Sequence, residues 1–292
     1  MSGSPLIKLD ELTKPATVLI EKISDAVGGV FKPYQIVRVA KAEAEADQIR
    51  AYSAIEITDL QRRAMHRFLV EEGKKQSNIE EIAGRALPLL NEDSKPQDVN
   101  DDWIANFFGN CRIVSDVEMQ QLWARVLAAE ANGPGTFSRR TVNLLSDLER
   151  RDAELFEILC SFGWVYGEGV PLLFPFVLDV RDKIYSETGL FYSNLSNLES
   201  LGLLQLNLLS GFSMRNQPKH VSLSYFGSSV QLTLPNVENN VFQLGQVLLT
   251  QAGQELARVC TPQPIEGLFE YVLKRWEEGR LTPEVRRAPP AP

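Results

Sequence analysis

Between Pro33 and Pro88 the chain runs without a proline, and this stretch constrains the fold more than any other. It opens on the alanine- and glutamate-rich run from Val39 to Arg50. Alanine and alternating charge favour helix. Opposite charges four residues apart, Asp59 with Arg63, Arg67 with Glu71 and Glu71 with Lys75, add tenths of a kcal/mol each. Ile49, Tyr52, Ile55 (or Glu56) and Leu60 give only a narrow apolar stripe, without sustained heptads. Residues 73–77, opening on Gly73, predict an interruption, with Ser77 or Asn78 restarting a helix that carries Ile79, Ile82, Ala83 and Leu87. A helix this polar borrows a partner surface or stands in solvent. The expectation is a stalk that serves assembly rather than catalysis.

The rest of the composition narrows the function classes. A net charge of -8 argues against a general polyanion binder. Cys111, Cys160 and Cys260 are odd in number and far apart, which reads as reduced thiols in a cytoplasmic protein and not as a disulfide framework. Met1 to Ser4 lack a basic region leading into an apolar run, so no secretory signal is expected. No stretch approaches the ~20 apolar residues that span a bilayer.

Four parts are expected. Residues 1–90 hold the N-terminal helices, beginning with one capped by Thr13 whose apolar positions include Leu19, Ile20, Ile23, Val27 and Val30. That helix docks on its own chain or a sister chain; a membrane-surface role is disfavoured because Lys and Arg do not dominate its polar face. Residues 91–165 read as a polar linker, 91–100, followed by a helical bundle. Asp101 and Asp102 begin a helix with Trp103, Ile104, Phe107 and Phe108. Ser115 to Glu118 form a capping box before Met119, Leu122, Trp123, Val126 and Leu127. Ser138 caps a third helix and a fourth begins near Arg151.

Residues 166–262 change character. Short helical segments fall between Asp179 and Leu204, the second packed by Leu195, Leu198 and Leu201 and closed by Gly202. Strand-like runs follow at 203–209, 220–225, 230–234 and 241–249, with 210–219 read as a wing loop and Thr250 capping a last helix. This order resembles a winged-helix module. Residues 263–292 hold an amphipathic helix with Leu268, Phe269, Val272, Leu273 and Trp276, then a proline-rich tail from Pro283 expected to be disordered. The fold class is thus mainly α with a smaller α+β part.

Catalytic equipment is sparse. His66 and His220 are the only histidines, and no tetrahedral metal set can be assembled from their spacing with the cysteines. Gly167 and Gly169 lack a third glycine, and residues 132–135 lack the Gly-Lys-Ser/Thr ending of a phosphate loop. Adjacent acidic pairs on a helix diverge by about 100° and do not converge on one atom. No enzyme activity, cofactor or metal is expected. For DNA, Ser193, Asn194 and Asn197 would read bases while Arg215 and Lys219 flank the duplex, but the reading helix has no Lys or Arg and carries Glu199. A protein-contact or purely structural role for this module is favoured. Arg139, Arg140, Arg150 and Arg151 read as solvated helix ends.

Three segments carry a resemblance: Asp101 to Phe108, Val114 to Glu130, and Pro134 to Thr141. With the run from Val39 to Arg50 they resemble an uncharacterised bacterial family of unknown function. The second segment, with its SDxEMQxLWAxxLAxE pattern, is also distantly similar to Abi-alpha-like abortive-infection proteins. The resemblance implies a bacterial cytosolic setting and a role in phage defence, and it carries over no catalytic residue. The leading expectation is a non-enzymatic interaction protein that self-associates through Leu19, Ile23, Val27, Val30, Ile49, Tyr52 and Ile55, with room for another protein partner. The alternatives are a winged-helix DNA-binding regulator and a membrane-associating effector using the first helix.

Overall fold

The computed structural model describes residues 13–27, 58–167 and 172–287. It is mixed α and β, with all its paired strands antiparallel. Contacts divide the chain into two compact units, Met1–Ser146 and Asp147–Pro292.

The first unit is helical. α1 (Lys14–Val27) starts at Thr13, whose hydroxyl accepts from the Ala16 N–H at 3.4 Å. α2 (Asp59–Ala86) starts at a capping box: the Gln61 N–H donates to the Thr58 hydroxyl, and the Thr58 N–H donates to the Gln61 side chain. The interruption expected at residues 73–77 is absent, and α2 runs unbroken through Gly73. The Lys75–Glu72 ion pair and the Gln76–Glu80 hydrogen bond span that turn. They oppose a glycine penalty of only about 1 kcal/mol.

α3 (Asp101–Cys111) is capped by Asn100. α4 (Val117–Asn132) is capped by Asp116, one residue later than the expected Ser115, because the Asp116 carboxylate accepts from the N–H groups of both Glu118 and Met119. α5 (Arg139–Ser146) follows Ser138, whose hydroxyl accepts from Thr141 N–H. α1 packs on α3 and on a 3-10 turn at Pro96–Asp98, the C-terminal half of α2 packs on α4, and α3 packs on α5. Residues 91–100 are therefore not a linker between parts. Lys95 N–H donates to Ala131 O at 2.9 Å, Asn91 N–H donates to the Asn132 side chain, and Pro96 is buried.

The second unit opens with α6 (Arg150–Ser161), which packs on later elements of this unit. β1 (Gly163–Tyr166), β2 (Leu172–Pro175), α7 (Lys183–Ser186), α8 (Tyr192–Ser200) and β3 (Leu204–Leu206) follow. Next come β4 (Phe212–Gln217), β5 (His220–Tyr225), β6 (Ser228–Thr233), β7 (Asn240–Gly245), β8 (Val247–Leu249), α9 (Gln251–Ala257), α10 (Leu268–Glu278) and β9 (Thr282–Arg287). One sheet has the order β2-β1-β5-β6-β9; β3 pairs with β8, and β4 with β7.

Two expectations fail here. Residues 210–219 are not a wing loop, because most of them form β4 against β7. The tail expected to be disordered begins instead as β9, registered on β6 from Thr282↔Thr233 to Arg287↔Ser228; residues 288–292 lie outside the described residues. The core of this unit centres on Trp164, which stacks on Tyr225 at 5.1 Å and on Phe269 at 5.7 Å, with Trp276 edge-on. Gly245 has φ +103°, and a Cβ there would strike the Val177 carbonyl, so the close approach of these two backbones requires glycine.

Candidate interaction surface

The functional candidate lies on α2. Its lower half buries Ile79, Ile82, Ala83 and Ala86. The same face continues upward at helical spacing through the charged Lys75 and Glu72 to Phe68, Met65, Ala64 and Gln61, with Leu60 and Leu69 on its two opposite flanks. Burial stops partway: every residue from Thr58 to Glu71 is exposed. Leu60 keeps 68% and Phe68 60% of their surface, and Met65, Leu69 and Val70 are exposed too. At 1.5 Å per residue this bare part is about 20 Å long. Apolar side chains of α2 are thus docked on their own unit below Lys75 and uncovered above Glu72.

Charge is ordered along the bare part. Arg62, Arg63 and Arg67 precede Glu71 and Glu72. Within the helix Arg63 pairs with Asp59 at 3.5 Å and Arg67 with Glu71 at 3.6 Å, both exposed and therefore weak. The sequence reading placed Leu60 on a narrow stripe but missed Met65, Phe68 and Leu69. The four-residue steps Leu60, Ala64, Phe68 carry the signal that would have found them.

The residues expected to mediate assembly are distributed differently. Leu19 and Ile23 are fully buried where α1 packs on α3 and the 3-10 turn, fixed there also by the Lys22–Asp101 ion pair at 2.7 Å. They serve the fold of their own unit and leave no surface for a second copy. The side chain of Val27, and Val30, Ile49, Tyr52 and Ile55, lie outside the described residues.

The expected DNA-contact residues are partly committed elsewhere. Ser193 is exposed on α8. The Asn194 amide donates to Gly189 O and the Asn197 amide to the Asp152 carboxylate, each at 2.7 Å. Asn197 thereby ties α8 to α6. The Glu199 carboxylate accepts the Leu206 N–H. Arg215 and Lys219 are exposed on β4 and the turn after it.

The segments that carried the family resemblance prove to be a packing lock. Trp103 stacks on Phe107 at 5.1 Å, and Phe107 meets Trp123 edge-on at 5.0 Å. The Trp103 indole N–H donates to Phe137 O at 2.8 Å. Buried Glu130 accepts from Gly135 N–H at 2.7 Å and Phe137 N–H at 2.8 Å, fixing the loop that follows α4.

The titratable cluster of the second unit is likewise structural. The Asp182 carboxylate accepts from Arg275 at 2.7 Å and from Tyr271 OH at 2.5 Å, tying α10 to the start of α7. Burial pushes the Tyr271 and Tyr185 phenols above their usual range, so both stay neutral donors at ordinary pH. Asp179, hydrogen-bonded by the Arg181 guanidinium, is held down to about 2. Each of these groups bonds to another in the same unit.

Among the described residues no three His, Cys, Asp or Glu side chains gather as a metal site. Nor is any described helix long and apolar enough to cross a membrane. No curated protein and no solved structure matches the chain. A family model does match, over residues 62–273, and it reaches from the bare part of α2 through the packing lock to α10. The chain therefore belongs to the family described as proteins of unknown function, DUF2806.

Proposed function

We propose that this protein is a non-enzymatic assembly protein whose α2 face binds the same face of a second copy. The carrying observation is the set of bare apolar side chains between Thr58 and Glu71, with Met65 and Phe68 on the face that α2 buries lower down and Leu60 and Leu69 on its flanks. Burying Leu60, Met65, Phe68 and Leu69 against a partner stabilises it by roughly 1.5–3 kcal/mol per fully buried large side chain, before association costs. The charge order favours a like partner: an antiparallel copy sets Arg62, Arg63 and Arg67 of each helix toward Glu71 and Glu72 of the other.

We read the second unit as an elaborated winged helix. The order α6, β2, α7, α8, β3, β8, α9 supports this, with β4 to β7 as an enlarged wing. Its role in this reading is structural or protein-contacting, since Asn194, Asn197 and Glu199 are occupied within the fold. A bacterial cytosolic setting and a part in phage defence rest on the motif resemblance alone.

Size-exclusion chromatography with light scattering tests the assembly. The intact protein is expected to give a multiple of the chain mass. The double substitution Leu60→Glu and Phe68→Glu is expected to reduce it to one chain without lowering the denaturant midpoint of the first unit. A single-chain mass for the intact protein at every concentration would sink the proposal.

A further inference from the structure

Two thiols about 100 residues apart in sequence meet in the second unit. Cys160 is buried in the last turn of α6, and Cys260, half-buried, follows α9. The Cys260 thiol donates to Leu256 O at 3.5 Å, and it lies near enough to Cys160 to raise that thiol's pKa. Separate contacts on both sides hold this meeting in place. Thr261 OH donates to the Glu157 carboxylate at 3.1 Å, one turn before Cys160. Just past Cys160, Tyr225 OH donates to Ser161 O at 3.0 Å and accepts the Ile265 N–H at 2.8 Å. Residues 260–265 are thus pinned along the end of α6, with the thiols between the two pins.

We propose that Cys160 and Cys260 form a reversible dithiol–disulfide site for hydroperoxides, with Cys260 meeting the oxidant and Cys160 resolving it. The Cys260 sulfur attacks the terminal peroxide oxygen. The O–O bond breaks, the leaving oxygen takes up the thiol proton as water or an alcohol, and Cys260 becomes a sulfenic acid. The Cys160 sulfur then attacks the Cys260 sulfur. The S–S bond forms, the S–O bond breaks, and the hydroxyl leaves with the Cys160 proton as water. The two sulfurs supply the two electrons that reduce one hydroperoxide.

The roles follow from the surroundings. Cys260 is the more accessible sulfur. The neighbouring Cys260, and then burial, push the Cys160 thiol well above its ordinary range, so it rests protonated. Cys111, buried in the first unit and pushed up by burial, provides an internal control.

The test is peptide mapping of the intact folded protein after hydrogen peroxide treatment, with free thiols alkylated on denaturation. The expected result is a linked Cys160–Cys260 peptide pair, lost on adding dithiothreitol, with Cys111 recovered as a free thiol. Cys160→Ser is expected to leave a Cys260 sulfenic acid that a dimedone probe traps, while Cys260→Ser leaves Cys160 unoxidised. The proposal is overturned if both thiols are recovered free. It is equally overturned if Cys260 proceeds to sulfinic acid without a bridge, if Cys260 links only to another copy, or if the pair forms only in urea.

Discussion

Glu130 shows at single-residue scale how a motif glutamate can serve packing instead of catalysis. It is buried, and its two carboxylate oxygens accept the Gly135 and Phe137 N–H groups. Glu130→Ala strands both donors, each costing about 1–3 kcal/mol. Urea unfolding is expected to show a loss of about 3 kcal/mol, while Glu130→Gln, which keeps an acceptor, loses less; an unchanged midpoint for the alanine variant would refute this role. Residue-level signals were legible in the sequence at three helix starts, though not at the Thr58 and Asn100 caps. Thr13, Ser138 and Thr250 all accept from their helix starts, as their spacing predicts. Asp116 displaced Ser115 as a cap because both residues suit the position, and only backbone geometry decides between them. Partners distant in sequence, such as Glu157 with Thr261, leave no local pattern to read.

Among the elements, α2 was legible in kind but not in continuity. Gly73 looked like a break, yet the helix passes through it, and a Cβ there would meet nothing within 4 Å. Gly73→Ala is therefore expected to stabilise the helix by about 1 kcal/mol. Hydrogen exchange around residues 70–76 is expected to slow about fivefold by the same principle; faster exchange would mean the glycine fills a need that its surroundings do not reveal. The strands divide for a physical reason. β5 alternates buried Val221, Leu223 and Tyr225 with more exposed neighbours, so periodicity finds it. β4 is largely exposed and carries Asn216 at φ 57°, and it is a strand only because β7 supplies its ladder. β9 contains Pro283 among charged residues and reads as tail until β6 is beside it. The bare part of α2 was half legible: Leu60 stood on the stripe read from the sequence, whereas Met65, Phe68 and Leu69 did not.

For the whole molecule, each unit has its own aromatic centre, Trp103, Phe107 and Trp123 in the first and Trp164, Phe269 and Trp276 in the second. Residues 1–146 and 147–292, produced separately, are each expected to unfold cooperatively with native near-ultraviolet circular dichroism. A piece without that signal would show that the division does not mark independent folding. The sequence suggested more parts because polar composition at residues 91–100 imitates a linker, whereas backbone hydrogen bonding made it a fixed turn. The β6–β9 register carries a practical warning. β9 closes one rim of the five-stranded sheet, and Pro283 within it has no N–H to offer a neighbour. A purification handle that peels β9 away, or a protease that trims back to Leu281, would uncover the hydrogen-bonding groups of β6 as a template on which chains could stack into insoluble material.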